Sequence, residues 1–128
     1  MPKRILIVDD ENYIRLLLKR TLEDFEFEGV EILLAEDGER GVELARKHHP
    51  DLIFLDLMMP KLDGVETCVA VRGIAGLEQT YIVLLTAKGQ LPAFPDGARP
   101  DECLTKPFDP DQIVDIAQTV LRIDLDLE

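Results

Sequence analysis

Three uninterrupted apolar runs, Ile5-Leu6-Ile7-Val8, Leu52-Ile53-Phe54-Leu55 and Tyr81-Ile82-Val83-Leu84-Leu85, constrain this chain more than any other feature. A strand with one face in water alternates apolar and polar residues, so a run apolar at every position fits a strand covered on both faces, as in a parallel sheet. Ile32-Leu33-Leu34-Ala35 and Cys103-Leu104-Thr105 are weaker strand candidates. Helical spacing fills the intervals. Ile14, Leu17, Leu18, Leu22 and Phe25 fall on one helix face, as do Ile113, Ile116, Ala117, Val120 and Leu121. Asp37 is placed to cap a helix carrying Val42 and Ala45 that Pro50 stops, and Asp63 to cap one carrying Val65, Cys68, Val69 and Arg72. Strand and helix alternate five times, which predicts a doubly wound α/β domain: a five-stranded parallel sheet with helices on both faces.

With 128 residues the chain has one domain's worth of sequence, and neither a repeat nor a composition shift marks a second. No apolar run nears the roughly 20 residues of a membrane span, and the four apolar residues after Arg4 are too few for a signal-peptide core. The expected location is the cytoplasm. Cys68 and Cys103 form no CxxC pair, and reduced thiols account for them without a disulfide or zinc. The net charge of −12, with 14 basic residues scattered rather than clustered, argues against direct nucleic-acid binding. His48 and His49 precede Pro50 at a helix end, where imidazoles complement the dipole; neighbours about 100° apart on a helix are poorly placed to share a metal.

One stretch breaks the alternation. Residues 89–100 contain three prolines and two glycines. An interior proline costs a helix about 3 kcal/mol, so the fourth crossover is expected to be an irregular loop with at most a turn or two of helix, anchored by Leu91 and Phe94.

The polar residues that end the strands carry the chemistry. They are Asp9-Asp10-Glu11, Asp56, Thr86-Ala87 and Lys106-Pro107, and a doubly wound sheet binds its ligands at the carboxyl ends of its strands. Any one of them is unremarkable as a loop residue or cap; acid, acid, hydroxyl and amine at successive strand ends form a set. Carboxylates about 4–6 Å apart repel by a few kcal/mol per pair at an effective dielectric near 20. A hard divalent cation removes that penalty, and Mg²⁺ suits one or two carboxylates together with water and phosphate oxygens. Lys106 offers a positive charge to a phosphoryl oxygen and Thr86 a hydroxyl donor. No Walker or dinucleotide glycine loop is present, so the set suits a metal and one phosphoryl group rather than a nucleotide.

Five stretches, Ile5-Leu6-Ile7-Val8-Asp9-Asp10, Asp51-Leu52-Ile53-Phe54-Leu55-Asp56-Leu57-Met58-Met59-Pro60, Asp63-Gly64, Leu85-Thr86-Ala87-Lys88 and Leu104-Thr105-Lys106-Pro107-Phe108, resemble the receiver domains of two-component response regulators, the CheY-like superfamily. The resemblance runs from about Arg4 to Leu121 within a single domain 1–128, and implies the flavodoxin-like strand order 2-1-3-4-5. It implies that Asp56 is the phosphoacceptor and that Asp9, Asp10, Asp56 and the main-chain carbonyl of Met58 hold Mg²⁺ or Mn²⁺. It further implies that Lys106 pairs with the phosphoryl group before a cis bond to Pro107, and that Thr86 swings toward the phosphate. The expected donor is a sensor histidine kinase or a histidine phosphotransfer protein. The expected product is a labile aspartyl phosphate lost by slow autodephosphorylation, so the domain is not a conventional turnover enzyme. A downstream protein or output domain would read its state.

Two departures concern output, not chemistry. Receivers commonly carry an aromatic residue three positions before the lysine, where this chain has Cys103, and the fourth helix is eroded. A monomer or a non-standard dimer is therefore expected, with activation registered near Thr86 and in the crossover loop. Among other functions, a haloacid-dehalogenase-type phosphatase needs an acid two positions after the nucleophile, where Met58 stands. A flavin carrier needs a hydroxyl-rich phosphate loop where Asp9-Asp10-Glu11 would repel the phosphate. A phosphorylation-independent receiver-like adaptor is the remaining alternative.

Overall fold

The computed structural model describes residues 2–87 and 92–125. Strands β1 (Arg4–Val8), β2 (Glu31–Ala35), β3 (Leu52–Asp56), β4 (Tyr81–Ala87) and β5 (Glu102–Lys106) form one parallel sheet in the order β2-β1-β3-β4-β5. The helices are α1 (Asn12–Thr21), α2 (Glu23–Phe27), α3 (Gly38–His48), α4 (Gly64–Arg72) and α5 (Pro110–Leu121).

The apolar runs are continuous because their side chains alternate between two separate cores. Ile5, Ile7, Leu52, Phe54, Val83 and Leu85 face α1, α2 and α5, where Leu18, Leu22, Phe25, Ile113, Ala117 and Leu121 meet them. Leu6, Val8, Ile53, Leu55, Ile82 and Leu84 face α3 and α4, meeting Leu44, Ala45, Cys68 and Val71. Each fully buried Leu or Ile contributes roughly 1.5–3 kcal/mol relative to exposure.

The helix starts follow from local chemistry. Asp37, Asp63 and Asp109 cap α3, α4 and α5 through their carboxylates, with reciprocal capping boxes from Glu66 and Gln112. α3 ends at His48, with His49 left-handed at its cap. The expected first helix is broken at Leu22, whose backbone leaves helical angles, yet Leu22 and Phe25 stay in the same core. On α4 the expected face is shifted: Val71 is buried while Val69 is exposed.

Residues 92–100 contain no helix, only a turn at Asp96–Gly97, and half-buried Phe94 packs on the α3–α4 core. Leu91, the other expected anchor, lies outside the described residues, as does the rest of that segment back to Lys88. Both cysteines are free thiols, Cys68 buried and Cys103 exposed. Among the described residues, no helix is long and apolar enough to cross a membrane.

Candidate functional site

Sheet register brings the strand-end residues to one rim. Val8 is level with Leu55, so Asp9, directly after β1, and Asp56, the last residue of β3, stand one residue further on along adjacent strands. Asp56 is level with Leu85, which puts Thr86 one step beyond it, and Ala87 is level with Lys106. Asp9, Asp56 and Thr86 are buried, while Asp10 is exposed at the mouth.

Lys106 joins the carboxylates. Its Nζ donates to Asp9 Oδ2 at 3.1 Å and lies 3.0 Å from Asp56 Oδ1, with Glu11 Oε1 at 4.0 Å. Asp9, Asp10 and Asp56 each offer an oxygen, and those three atoms lie within 4.8 Å of one another. One lysine cannot balance three carboxylates, and Asp56 shows it. Desolvation pushes the Asp56 carboxyl up to about 6; the bond from Lys106 opposes this and the charges of Asp9 and Asp10 add to it. Burial disfavours the charged Lys106, but its bonds to Asp56 and Asp9 outweigh that and raise its pKa. This donor set of hard, crowded, undercompensated oxygens fits a small divalent cation. Met58 follows Asp56 by two residues in the bend leaving β3 with its side chain 62% exposed, so only its main-chain carbonyl suits such an ion. The Lys106–Pro107 peptide is cis, as the resemblance implied.

The loop after β3 is held close to Asp56. Leu57 N–H donates to the Leu85 carbonyl and Gly64 N–H to the Leu57 carbonyl. A Cβ at Gly64 would lie 2.7 Å from both the Asp56 carbonyl oxygen and the Leu57 Cα, so only glycine allows α4 to start this near the site. Lys61, at φ 69°, ties the same loop to the α3 cap through a 3.3 Å ion pair with Asp37.

Arg15 joins this constellation without having been singled out in the sequence. Its guanidinium donates to the Asp9 carbonyl at 2.7 Å and to Asn12 Oδ1 at 3.2 Å. The only available signal was an arginine four residues after Glu11, at the head of the first helix.

The model of the response regulator receiver domain matches residues 5–118. The chain belongs to that family. It is 40% identical over 126 residues to the transcriptional regulatory protein SrrA of Staphylococcus aureus, covering 95% of this chain and 49% of that protein. The chain thus spans about half the length of the curated relatives it matches. Among solved structures it resembles the chemotaxis protein CheY4 of Vibrio cholerae, with 30% identity, a TM-score of 0.77 and coverage of 94% and 99% of the two chains. It shares its fold with the receiver domain of sensor histidine kinase PA1611 of Pseudomonas aeruginosa, with 24% identity, a TM-score of 0.81 and coverage of 95% and 99%. That receiver was crystallised with a magnesium ion in its active-site cleft.

Proposed function

We propose that this receiver takes a phosphoryl group on Asp56 from a phosphohistidine of a kinase or phosphotransfer protein, in a reaction that requires Mg²⁺. The observation that carries the reading is the placement of Lys106, 3.0 Å from Asp56 and 3.1 Å from Asp9, beside three converging carboxylates. Asp9, Asp10, Asp56 and the Met58 carbonyl are the residues that would hold the cation, and Mn²⁺ suits the same oxygens. When bound, Mg²⁺ supplies Lewis-acid neutralisation of charge on the phosphoryl oxygens.

The side chains divide the remaining work. An Asp56 carboxylate oxygen attacks phosphorus in line as the P–N bond of the donor breaks. The electron pair returns to the imidazole nitrogen, which then takes a proton. Lys106 releases Asp56 to pair with a phosphoryl oxygen, and the Thr86 hydroxyl donates to another. A pKa near 6 leaves Asp56 ionised at neutral pH and therefore nucleophilic. Water later cleaves the acyl phosphate slowly, resetting the state without sustained turnover. The matched relatives are twice as long, so the state is read by an output domain or a separate protein in the cytoplasm.

Acetyl phosphate or phosphoramidate with Mg²⁺ should add one phosphoryl group, acid-stable and base-labile, detected by intact mass. Asp56→Asn and chelation should each abolish it. Equal labelling of wild type and Asp56→Asn would remove the reading; a folded wild type that never labels would favour the adaptor function to which the helix-free stretch 92–100 points.

A further inference from the structure

The acidic loop leaving β1 is organised differently from the entries to α3, α4 and α5. α3, α4 and α5 each begin with an aspartate whose side chain caps the first turn. α1 has Glu11 at that position, and Glu11 makes no side-chain cap bond. The structural work at this end comes from inside the helix. Arg15 N–H bonds the Glu11 carbonyl at 3.1 Å, and its side chain runs back toward the helix start, as long helical side chains do. It reaches past the first turn to the Asp9 carbonyl, at 2.7 Å, and steadies itself on Asn12.

Asp9 is thereby held on every side. Its N–H donates to the Ala35 carbonyl at 3.1 Å, its Oδ1 accepts from Glu11 N–H at 2.9 Å and its Oδ2 from Lys106. Asp10 differs: no hydrogen bond to its carboxylate occurs among the described residues, and it is exposed. Its position follows from the main-chain path between Asp9 and Glu11, and among the described residues Arg15 is the only side chain outside that loop bonded to the main chain of Asp9.

We propose that Arg15 is the positioning residue of the acidic loop: its guanidinium, by holding the Asp9 carbonyl, places the Asp10 carboxylate for a divalent cation. The proposal rests on the metal-dependent reading of the site. Charge and position predict opposite effects. Arg15 adds positive charge near a cation site, so by Coulomb's law alone its removal strengthens Mg²⁺ binding. As a positioning group its removal weakens binding, because the forked, charge-assisted grip is lost. Lysine keeps the charge but not the planar fork.

Mg²⁺ affinity of wild type, Arg15→Gln and Arg15→Lys should be measured by calorimetry, with melting in EDTA to establish that each variant folds. Both variants should bind Mg²⁺ about three- to tenfold more weakly. The Mg²⁺ concentration for half-maximal labelling by acetyl phosphate should rise by the same factor, while the rate at saturating Mg²⁺ stays near wild type. Tighter or unchanged binding by Arg15→Gln, or a full rescue by lysine, would overturn the proposal. A metal-independent readout separates it from the reading on which it rests: hydrogen exchange at the Glu11 amide in EDTA should accelerate in Arg15→Gln. Unchanged exchange would overturn the positioning role by itself, whereas a wild type indifferent to Mg²⁺ would overturn the metal reading and leave the exchange result to decide whether Arg15 orders the loop.

Discussion

Burial places the Asp56 carboxylate under tension in the metal-free protein. The Asp56 carboxyl stands at about 6 instead of the usual 3.8, so the native state holds a proton on it that the unfolded chain has released over the interval between those values. Stability from this group is therefore fully present below pH 3.8 and is lost as pH rises through about 6. With EDTA present, denaturant unfolding should show wild type losing of order 2–3 kcal/mol between acidic and neutral pH from this group. Asp56→Asn should lack that loss and be the more stable protein at neutral pH. A pH slope identical in both proteins would refute the assignment. Asp9 and Asp56 were legible in the sequence because a carboxylate directly after four apolar residues marks the end of a buried strand, and such ends converge at one rim of a parallel sheet. Gly64 was legible only as part of a motif. Its reason is the atom it lacks beside the Asp56 carbonyl, and that contact exists only after β3 and α4 meet. Arg15 left no pattern either, since its bond runs to a main-chain carbonyl.

At the scale of elements, the prolines of the fourth crossover and its Phe94 anchor were readable, while the polar part of its anchorage was not. Pro92 and Pro95 explain the absence of helix over residues 92–100, because each lacks an amide donor and disfavours helical angles in the residue before it. What replaces the helix is a set of fastenings at the end of α4. Arg72, 8% exposed along its side chain, donates to the carbonyls of Arg99, Glu78 and Thr80 and pairs with Asp101 at 2.7 Å. Asp101 in turn accepts from Ile82 N–H at 2.8 Å, and the Cys68 thiol donates to the Ala98 carbonyl. The sequence placed Arg72 on the helix face with Val65 and Cys68 but offered no partner for it, since every one of those carbonyls is supplied by irregular backbone. Arg72→Met keeps the packing stem and removes the donors, leaving three carbonyls without the guanidinium and Asp101, 38% exposed along its side chain, still bonded by the Ile82 N–H. Urea unfolding should show a loss of about 1–3 kcal/mol, the range for hydrogen bonds made by a charged group in a partly exposed pair. A loss below about 1 kcal/mol would mean that Phe94 and the neighbouring apolar contacts hold the crossover without the arginine.

For the whole molecule, a parallel sheet with helices on both faces was legible because continuous apolar runs and capped helical periods leave few ways to build it, while the strand order came with the family resemblance. The balance of charge adds a global term. A net charge of −12 resists the compact state through self-repulsion, and the crowded rim of Asp9, Asp10 and Asp56 adds a local share. Simple salt screens the first contribution; only a cation seated at the rim relieves the second. The two separate when thermal unfolding is followed in MgCl₂ and in NaCl at matched ionic strength. A ligand that binds only the native state stabilises it by mass action, so Mg²⁺ at tenfold its dissociation constant should add about 1.4 kcal/mol, or roughly 5 °C, beyond the NaCl control. Asp10→Ala removes a carboxylate from the mouth of the site without touching the core, so it should melt at or above wild type in NaCl and gain little more from Mg²⁺. An equal response of both proteins to the two salts would show that Mg²⁺ acts on the general charge and that the three carboxylates hold no ion.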